Sequence, residues 1–287
     1  MPELPEIEIV KRSLHKMINN TKIIDVKIKN KKLRYKLSST FSKQLIGDRI
    51  LNISRRAKYL IFYLKKKILL AHLGMSGKLI VKRIRDNKSF KTSFYYDLNL
   101  IQKHNHIYFK LNNGFVLIYN DIRRFGFFKI YNLTDINQIP FLKKLGFEPF
   151  DKEFNINYFR VYIKNKKKNI KNLLMDQTFI SGIGNIYANE VLFMSKVNPL
   201  RACNSLRNLE IKNIIFNLKK ILNFSISKGG ASIKNFQNSL GKTGSFQQFF
   251  HVYGKYNVKC SRISCKGIIK KINISGRSSF YCSNCQN

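Results

Sequence analysis

The sequence predicts an α+β multidomain protein, and three observations carry that expectation. An amphipathic helical spacing opens the chain, short β-rich runs joined by tight turns follow it, and four cysteines in two close pairs end it. Ile7, Val10, Leu14 and Met17 fall on one face of a helix over residues 3 to 18. Pro2 and Pro5 sit at or before its first turn, where proline is tolerated. Strand-like runs come next, at 22–28, 49–54, 59–64 and 68–73. Two more, 107–111 and 115–119, flank Asn112-Asn113-Gly114, a strong hairpin signal. An N-terminal β-sandwich or barrel carrying an N-terminal helix is therefore expected over residues 1–135. Pro140, Gly146 and Pro149 mark 136–150 as a linker. Helical patterning then dominates a second domain, 151–249, with its clearest segments at 170–176, 186–195 and 206–227. Gly229, Gly230, Gly241 and Gly244 make 229–246 a loop, and 250–287 reads as short strands between cysteines.

Composition narrows the class. The chain has 287 residues, 44 % of them hydrophobic, enough for a real core. Lysine and arginine number 54 against 15 acids, a net charge of +39 at pH 7. Such a charge favours a polyanion and repels a second copy of the chain, so a monomer is expected. The wealth of Lys, Asn, Ile, Phe and Tyr is also what an A+T-rich genome produces, so charge supports nucleic acid without deciding for it. No apolar run reaches the ~18 residues that span a bilayer. Glu3 and Glu6 stand where a secretory signal would carry lysines, so a cytoplasmic protein with no membrane partner is expected.

Four constellations carry chemistry. Cys260 and Cys265, then Cys282 and Cys285, give a C-x4-C and a C-x2-C pair separated by sixteen residues. In a reducing compartment this favours one tetrahedral structural Zn2+, closed to substrate, over disulfides; free thiols are the alternative. The run 174–188 ends a helix, turns through Gly182 and Gly184, and opens another at Asn185. A helix start of that kind exposes N–H groups and suits phosphate, although an ordinary helix connection has the same form. At the N-terminus, removal of the initiator methionine would leave Pro2 with a free secondary amine. An α-amine titrates near ~8, well below a lysine, and the positive end of a helix lowers it further. Such an amine can attack a sugar C1′ and form an iminium. Glu3 and Glu6 face the same side; serving the helix dipole is their simpler role. Finally, 72–77 holds His72 and Met75 on a glycine-flanked turn, and 121–126 sets Arg123 and Phe125 side by side. An apolar wedge and an arginine that replaces an extruded base are what base flipping needs, though either residue alone also reads as core. His104 and His106 open a strand and are read as structural rather than as a metal nuclease pair.

Together these residues closely resemble the bacterial formamidopyrimidine-DNA glycosylase family. The match runs through Pro-Glu-Leu-Pro-Glu at 2–6, Arg-Arg-Ala-Lys-Tyr-Leu at 55–60 and His-Leu-Gly-Met-Ser-Gly at 72–77. It continues through Arg-Arg-Phe-Gly at 123–126, Gly-Asn-Ile-Tyr-Ala at 184–188 and the terminal cysteines, so it spans the chain. The resemblance implies a β-sandwich, a helix–two-turn–helix domain and a C-terminal zinc finger, with damaged double-stranded DNA between them. It implies a bifunctional glycosylase and AP lyase for oxidised purines (8-oxoguanine and formamidopyrimidines), working in a bacterial cytoplasm at the nucleoid. Pro2 would attack C1′, with Glu3 as proton donor or acceptor and Lys58 moving the proton in β-elimination. Arg277 would serve δ-elimination and phosphate binding. Met75, Arg123 and Phe125 would fill the gap left by the flipped base; His104, Lys166 and Asn185 would contact DNA, with His72 and Glu6 beside them. The loop 229–246 would lie over the extruded base. The iminium is itself the electron sink, so neither a redox cofactor nor a catalytic divalent metal is expected, only the structural zinc.

Some positions depart from the family pattern. Ile122 and Thr243 stand where proline is usual, and the first cysteine pair is widened. These bear on the approach to Arg123, on the loop and on the finger, and so on base preference more than on chemistry. One rival is an endonuclease VIII-type glycosylase for oxidised pyrimidines, which usually begins Pro-Glu-Gly-Pro-Glu and lacks Arg-Arg-Phe-Gly. A non-catalytic zinc-containing DNA-binding protein would have lost Pro2 or Glu3, and an RNA-binding zinc ribbon would need neither.

Overall fold

The computed structural model describes residues 1–86, 88–92, 101–231 and 245–287. Thr243 and most of the 229–246 loop lie outside the described residues. The described chain forms two compact units, one of Met1–Lys143 with the segment that begins at Lys228, the other of Lys144–Ser227 with Phe246–Asn287.

In the first unit, α1 (Leu4–Ile18) starts on a capping box between Glu3 and Glu6, with Pro5 in its first turn. Its apolar face buries Ile7, Val10, Leu14 and Ile18. The sandwich behind it is built from β1 (Ile23–Ile28), α2 (Phe41–Leu45), β2 (Asn52–Arg56), β3 (Tyr59–Tyr63), β4 (Lys67–His72), β5 (Lys78–Arg83), β6 (Ser89–Lys91), β7 (Asn105–Leu111), β8 (Phe115–Asn120) and β9 (Phe127–Asn132). One sheet runs β1-β7-β8-β5-β6 and the other β2-β3-β4-β9, all the neighbouring pairs antiparallel. Period-two burial joins the sheets. Leu60, Phe62, Leu69 and Ala71 enter one core with Phe109, Leu117, Tyr119 and α1, while Ile61, Ile68 and Leu70 bury a second cluster against Phe141 on the other face. The expected strand at 49–54 begins later, at Asn52, because Arg49 and Ile50 are spent bonding to Lys22 and Thr21. Strands β5 and β9 were not singled out in the sequence. Within 136–150, Pro140 opens the short helix α3 (Pro140–Lys143), as a proline at a first helical position can.

The second unit contains α4 (Ile156–Ile163), α5 (Ile170–Met175), α6 (Asn185–Met194), α7 (Asn208–Ser227) and the hairpin β10 (Ile269–Ile274) and β11 (Arg277–Cys282). Helix α6 is buried on nearly every side, from Ile186 to Phe193. The hairpin turns through Ser275 (φ +50°) and Gly276 (φ +74°), two successive left-handed residues that match the right-handed twist of the strands. The cysteine cluster packs on Phe193, Val252 and Ile269 at the end of α6. Among the described residues no helix is long and apolar enough to cross a membrane.

Candidate active site

At the start of the first unit, Pro2 is buried, Glu3 is 3 % exposed and Glu6 2 %. Glu6 Oε2 accepts from the Glu3 N–H at 2.9 Å, and its Oε1 accepts from the Ala231 N–H at 2.8 Å. Gly230, at φ +82°, passes so close that an added Cβ would stand 3.2 Å from Glu6 Oε1. Glu6, foreseen beside the DNA contacts, is thus turned inward, holding the helix start and the chain at 230–231. Glu8 gathers Lys11, Arg12 and Arg55, the last at 3.0 Å and nearly buried, which ties α1 to β2. Those cations hold the Glu8 carboxyl below its usual range despite its burial.

Lys58 occupies a two-residue turn between β2 and β3, where Arg56 pairs with Tyr59. The turn requires Ala57 at φ +53°, an uncommon conformation for a residue with a side chain, and Arg55 Nη1 donates to the Ala57 carbonyl at 3.1 Å. Lys58 is only 6 % exposed. It acts on two titrating neighbours. Burial drives the Met1 α-amine below its ordinary 8.0, and Lys58 and Arg123 push the same way against Glu3 and Glu6. Burial also pushes His72 down to about 4, helped by Lys58 and Arg34. His72 Nδ1 accepts from the Gly74 N–H at 3.1 Å, which leaves the proton of the neutral ring on Nε2. The imidazole stacks on Phe127 at 5.6 Å and leans on Tyr59 at 5.0 Å.

The two glycine-rich segments meet. A Cβ on Gly74 (φ +62°) would lie 2.5 Å from the nitrogen of Gly126, so only glycine permits this approach. Met75 and Phe125 project from the joined turns, 41 % and 43 % exposed, and the Arg123 guanidinium stands 4.5 Å over the Phe125 ring. His104 is tied to the 121–126 segment through its backbone, its carbonyl accepting from the Asp121 N–H at 3.0 Å. The sequence reading named Asp121 only as part of its segment, yet it is completely buried and bonds to both turns.

In the second unit, Asn185 is the first residue of α6, and its amide donates to the Ser278 carbonyl at 3.0 Å. Lys171, fully buried and unforeseen, donates to that same carbonyl at 3.3 Å and to Ser279 Oγ. Asn189 Oδ1 accepts from the Phe280 N–H at 2.7 Å. The hairpin is thereby fixed to α5 and α6, with Arg277 exposed at the first position of β11. The turn before α6 is held by Gln177, which donates to the carbonyls of Met175 and Ile183 and accepts from Gly182. Lys166 lies over the Tyr162 ring at 4.1 Å.

The family comparison adds three matches in order. The formamidopyrimidine-DNA glycosylase N-terminal domain matches residues 1–128, its H2TH domain 145–237, and a zinc finger found in FPG and IleRS 259–287. The chain belongs to the formamidopyrimidine-DNA glycosylase family. Its similarity to individual members is full-length. The formamidopyrimidine-DNA glycosylase of Rickettsia conorii is 41 % identical, over 100 % of this chain and 99 % of that protein. That of Bartonella tribocorum is 38 % identical, over the whole of both chains. A Lactococcus lactis FPG mutant, solved with a DNA containing Fapy-dG, superposes with a TM-score of 0.87 at 34 % identity, each chain covered completely. Lactococcus lactis Fpg in complex with an abasic site-containing DNA gives 0.86 at 35 % identity, with 99 % of each chain covered.

The cysteines fit the zinc of the family's finger. Cys260 and Cys285 have their sulfurs 3.8 Å apart, Cys265 and Cys282 3.6 Å, and all four lie within 4.8 Å of one another. A tetrahedron with Zn–S bonds of about 2.3 Å has edges of about 3.8 Å, so the two sulfur separations, each joining the widened first pair to the second, match those edges. Without a cation, burial and its neighbouring thiols push Cys285 far above the usual thiol range. Zinc held by these four thiolates would brace the hairpin that carries Arg277, since Cys282 ends β11.

Proposed function

We propose that this chain excises oxidised purines from duplex DNA through the amine of Pro2 and then cleaves the strand at the resulting abasic site, as a base-excision-repair glycosylase with AP lyase activity. The setting of the N-terminus carries this reading: Pro2 is buried, with Glu3 and Lys58 3 % and 6 % exposed, and burial together with Lys58 and Arg123 lowers the pKa of the neighbouring Met1 α-amine against Glu3 and Glu6. Loss of Met1 would free a secondary α-amine at Pro2, and an α-amine titrates near ~8, well below a lysine, so a share of it is unprotonated at neutral pH. Its lone pair attacks C1′, the base departs with the glycosidic electron pair, and Glu3 exchanges a proton with the opening sugar oxygen. The iminium that forms acidifies C2′–H. Lys58 takes that proton, a C=C bond forms and the 3′ phosphate leaves; Arg277 binds phosphate and serves the second elimination.

Met75, Arg123 and Phe125 enter the space vacated by the flipped base, and His72, His104, Lys166 and Asn185 hold the backbone. Residues 1–135 make the catalytic domain, while 151–249 and the finger, 250–287, supply DNA contacts. The loop 229–246 covers the extruded base from its anchor at Glu6. The protein works as a monomer on chromosomal DNA in the cytoplasm, with zinc as its structural ion. To test the chemistry, a duplex with 8-oxoguanine opposite cytosine is incubated with the protein and borohydride. A covalent adduct is expected for the wild type and its near-loss for Pro2→Gly; wild-type protein that binds the duplex but never traps would exclude the mechanism.

A further inference from the structure

Two turns carry the residues that would enter the helix, and one hydrogen-bonded pair, Ser76 and Asp121, joins them. Asp121 is completely buried. Its Oδ1 accepts from the Ser76 hydroxyl and from the Arg123 N–H at 3.2 Å. Its Oδ2 accepts from the Tyr119 hydroxyl at 2.8 Å and from the Gly126 N–H at 2.9 Å. Ser76 Oγ, while donating to Asp121, accepts from the Arg123 N–H at 3.0 Å. The Asp121 backbone is held as well, its N–H by His104 and its carbonyl by His106 Nε2 at 2.7 Å. Met75 is thus one residue from Ser76, and Arg123 and Phe125 are clasped at both ends of their turn by one carboxyl group. Ile122 is 53 % exposed, so its side chain adds little packing to the turn, whose backbone is bonded by Asp121 and Ser76 at Arg123 and by Asp121 at Gly126.

We propose that Ser76 and Asp121 are positioning residues that lock Met75 and the Arg123–Phe125 pair into one wedge, which fixes the rate of base extrusion. The proposal rests on the glycosylase reading above. A wedge that must part stacked bases does work against them, and slack between its halves loses that work. An abasic nucleotide has no base to unstack, so the clasp matters much less there.

The test compares single-turnover excision of 8-oxoguanine opposite cytosine with strand cleavage at a preformed abasic site opposite cytosine. A 2-aminopurine beside the lesion reports extrusion. Loss of the Ser76 hydrogen bonds in Ser76→Ala should slow excision about five- to tenfold. Asp121→Asn, which sets an amide among four donors, should slow it at least as much. Cleavage at the abasic site should fall by no more than about twofold, and the 2-aminopurine signal should slow in step with excision. Ser76 is only partly buried and keeps the proposal testable if Asp121→Asn does not fold. Equal losses on both duplexes, or no loss on either, would overturn the proposal while leaving the glycosylase reading intact. A wild type that traps on neither duplex would overturn both.

Discussion

His72 stands between two aromatic rings with its imidazole neutral. Its pKa of about 4 lies below the ordinary 6.5, because burial and the cations Lys58 and Arg34 oppose its charging. The unfolded chain therefore binds more protons than the folded one between those values. Stability contributed by the neutral ring is complete above pH 6.5 and declines as pH falls toward 4. Urea unfolding at pH 7 and pH 4.5 should show this decline, and His72→Gln should remove part of it. An unchanged acid slope would mean the ring titrates normally. Other residues were legible only as far as local chemistry reaches. The cysteine spacing announces itself because thiol ligands act through near neighbours, whereas Pro2 and Glu3 read locally as an ordinary helix start and stand out only through the family resemblance. Asp121 and Lys171 do not, since each is buried by a segment distant in the chain, Asp121 by the 72–77 turn and Lys171 by β11.

Elements were read well where periodicity was strong. Helix α1 and strands β3, β4, β7 and β8 fall close to their expected places. Strand β5 was passed over because Leu79, Ile80 and Val81 are all buried, and a short unbroken apolar run has no period. The contact of the two glycine turns was illegible too, since it depends on β4 and β9 being neighbours in the sheet. It makes a sharp prediction. Gly74→Ala must place a Cβ against the Gly126 backbone while holding φ at +62°, and should cost about 1–3 kcal/mol. Calorimetry should record a lowered midpoint, with 8-oxoguanine excision reduced. A variant as stable and active as wild type would show the two turns to be separable.

For the whole molecule, the charge of +39 and the cysteine cluster act on the same partner. Phosphate neutralisation releases counterions, so affinity for duplex DNA should fall steeply with salt. On the proposed reading, zinc would support binding through the hairpin that α5 and α6 hold. Chelation should release one zinc per chain, read with a chromogenic chelator, and weaken DNA binding most at high salt. Binding that survives full metal loss unchanged would separate the finger from DNA recognition.

The central claim concerns a single nitrogen. The borohydride-trapped adduct with an 8-oxoguanine duplex is digested with a protease and nuclease, and the peptide bearing the sugar remnant is sequenced by mass spectrometry. The expected result is a remnant on the secondary amine of Pro2 in a chain lacking Met1. A remnant on Lys58, or on any other lysine, with Pro2 unmodified would contradict the account.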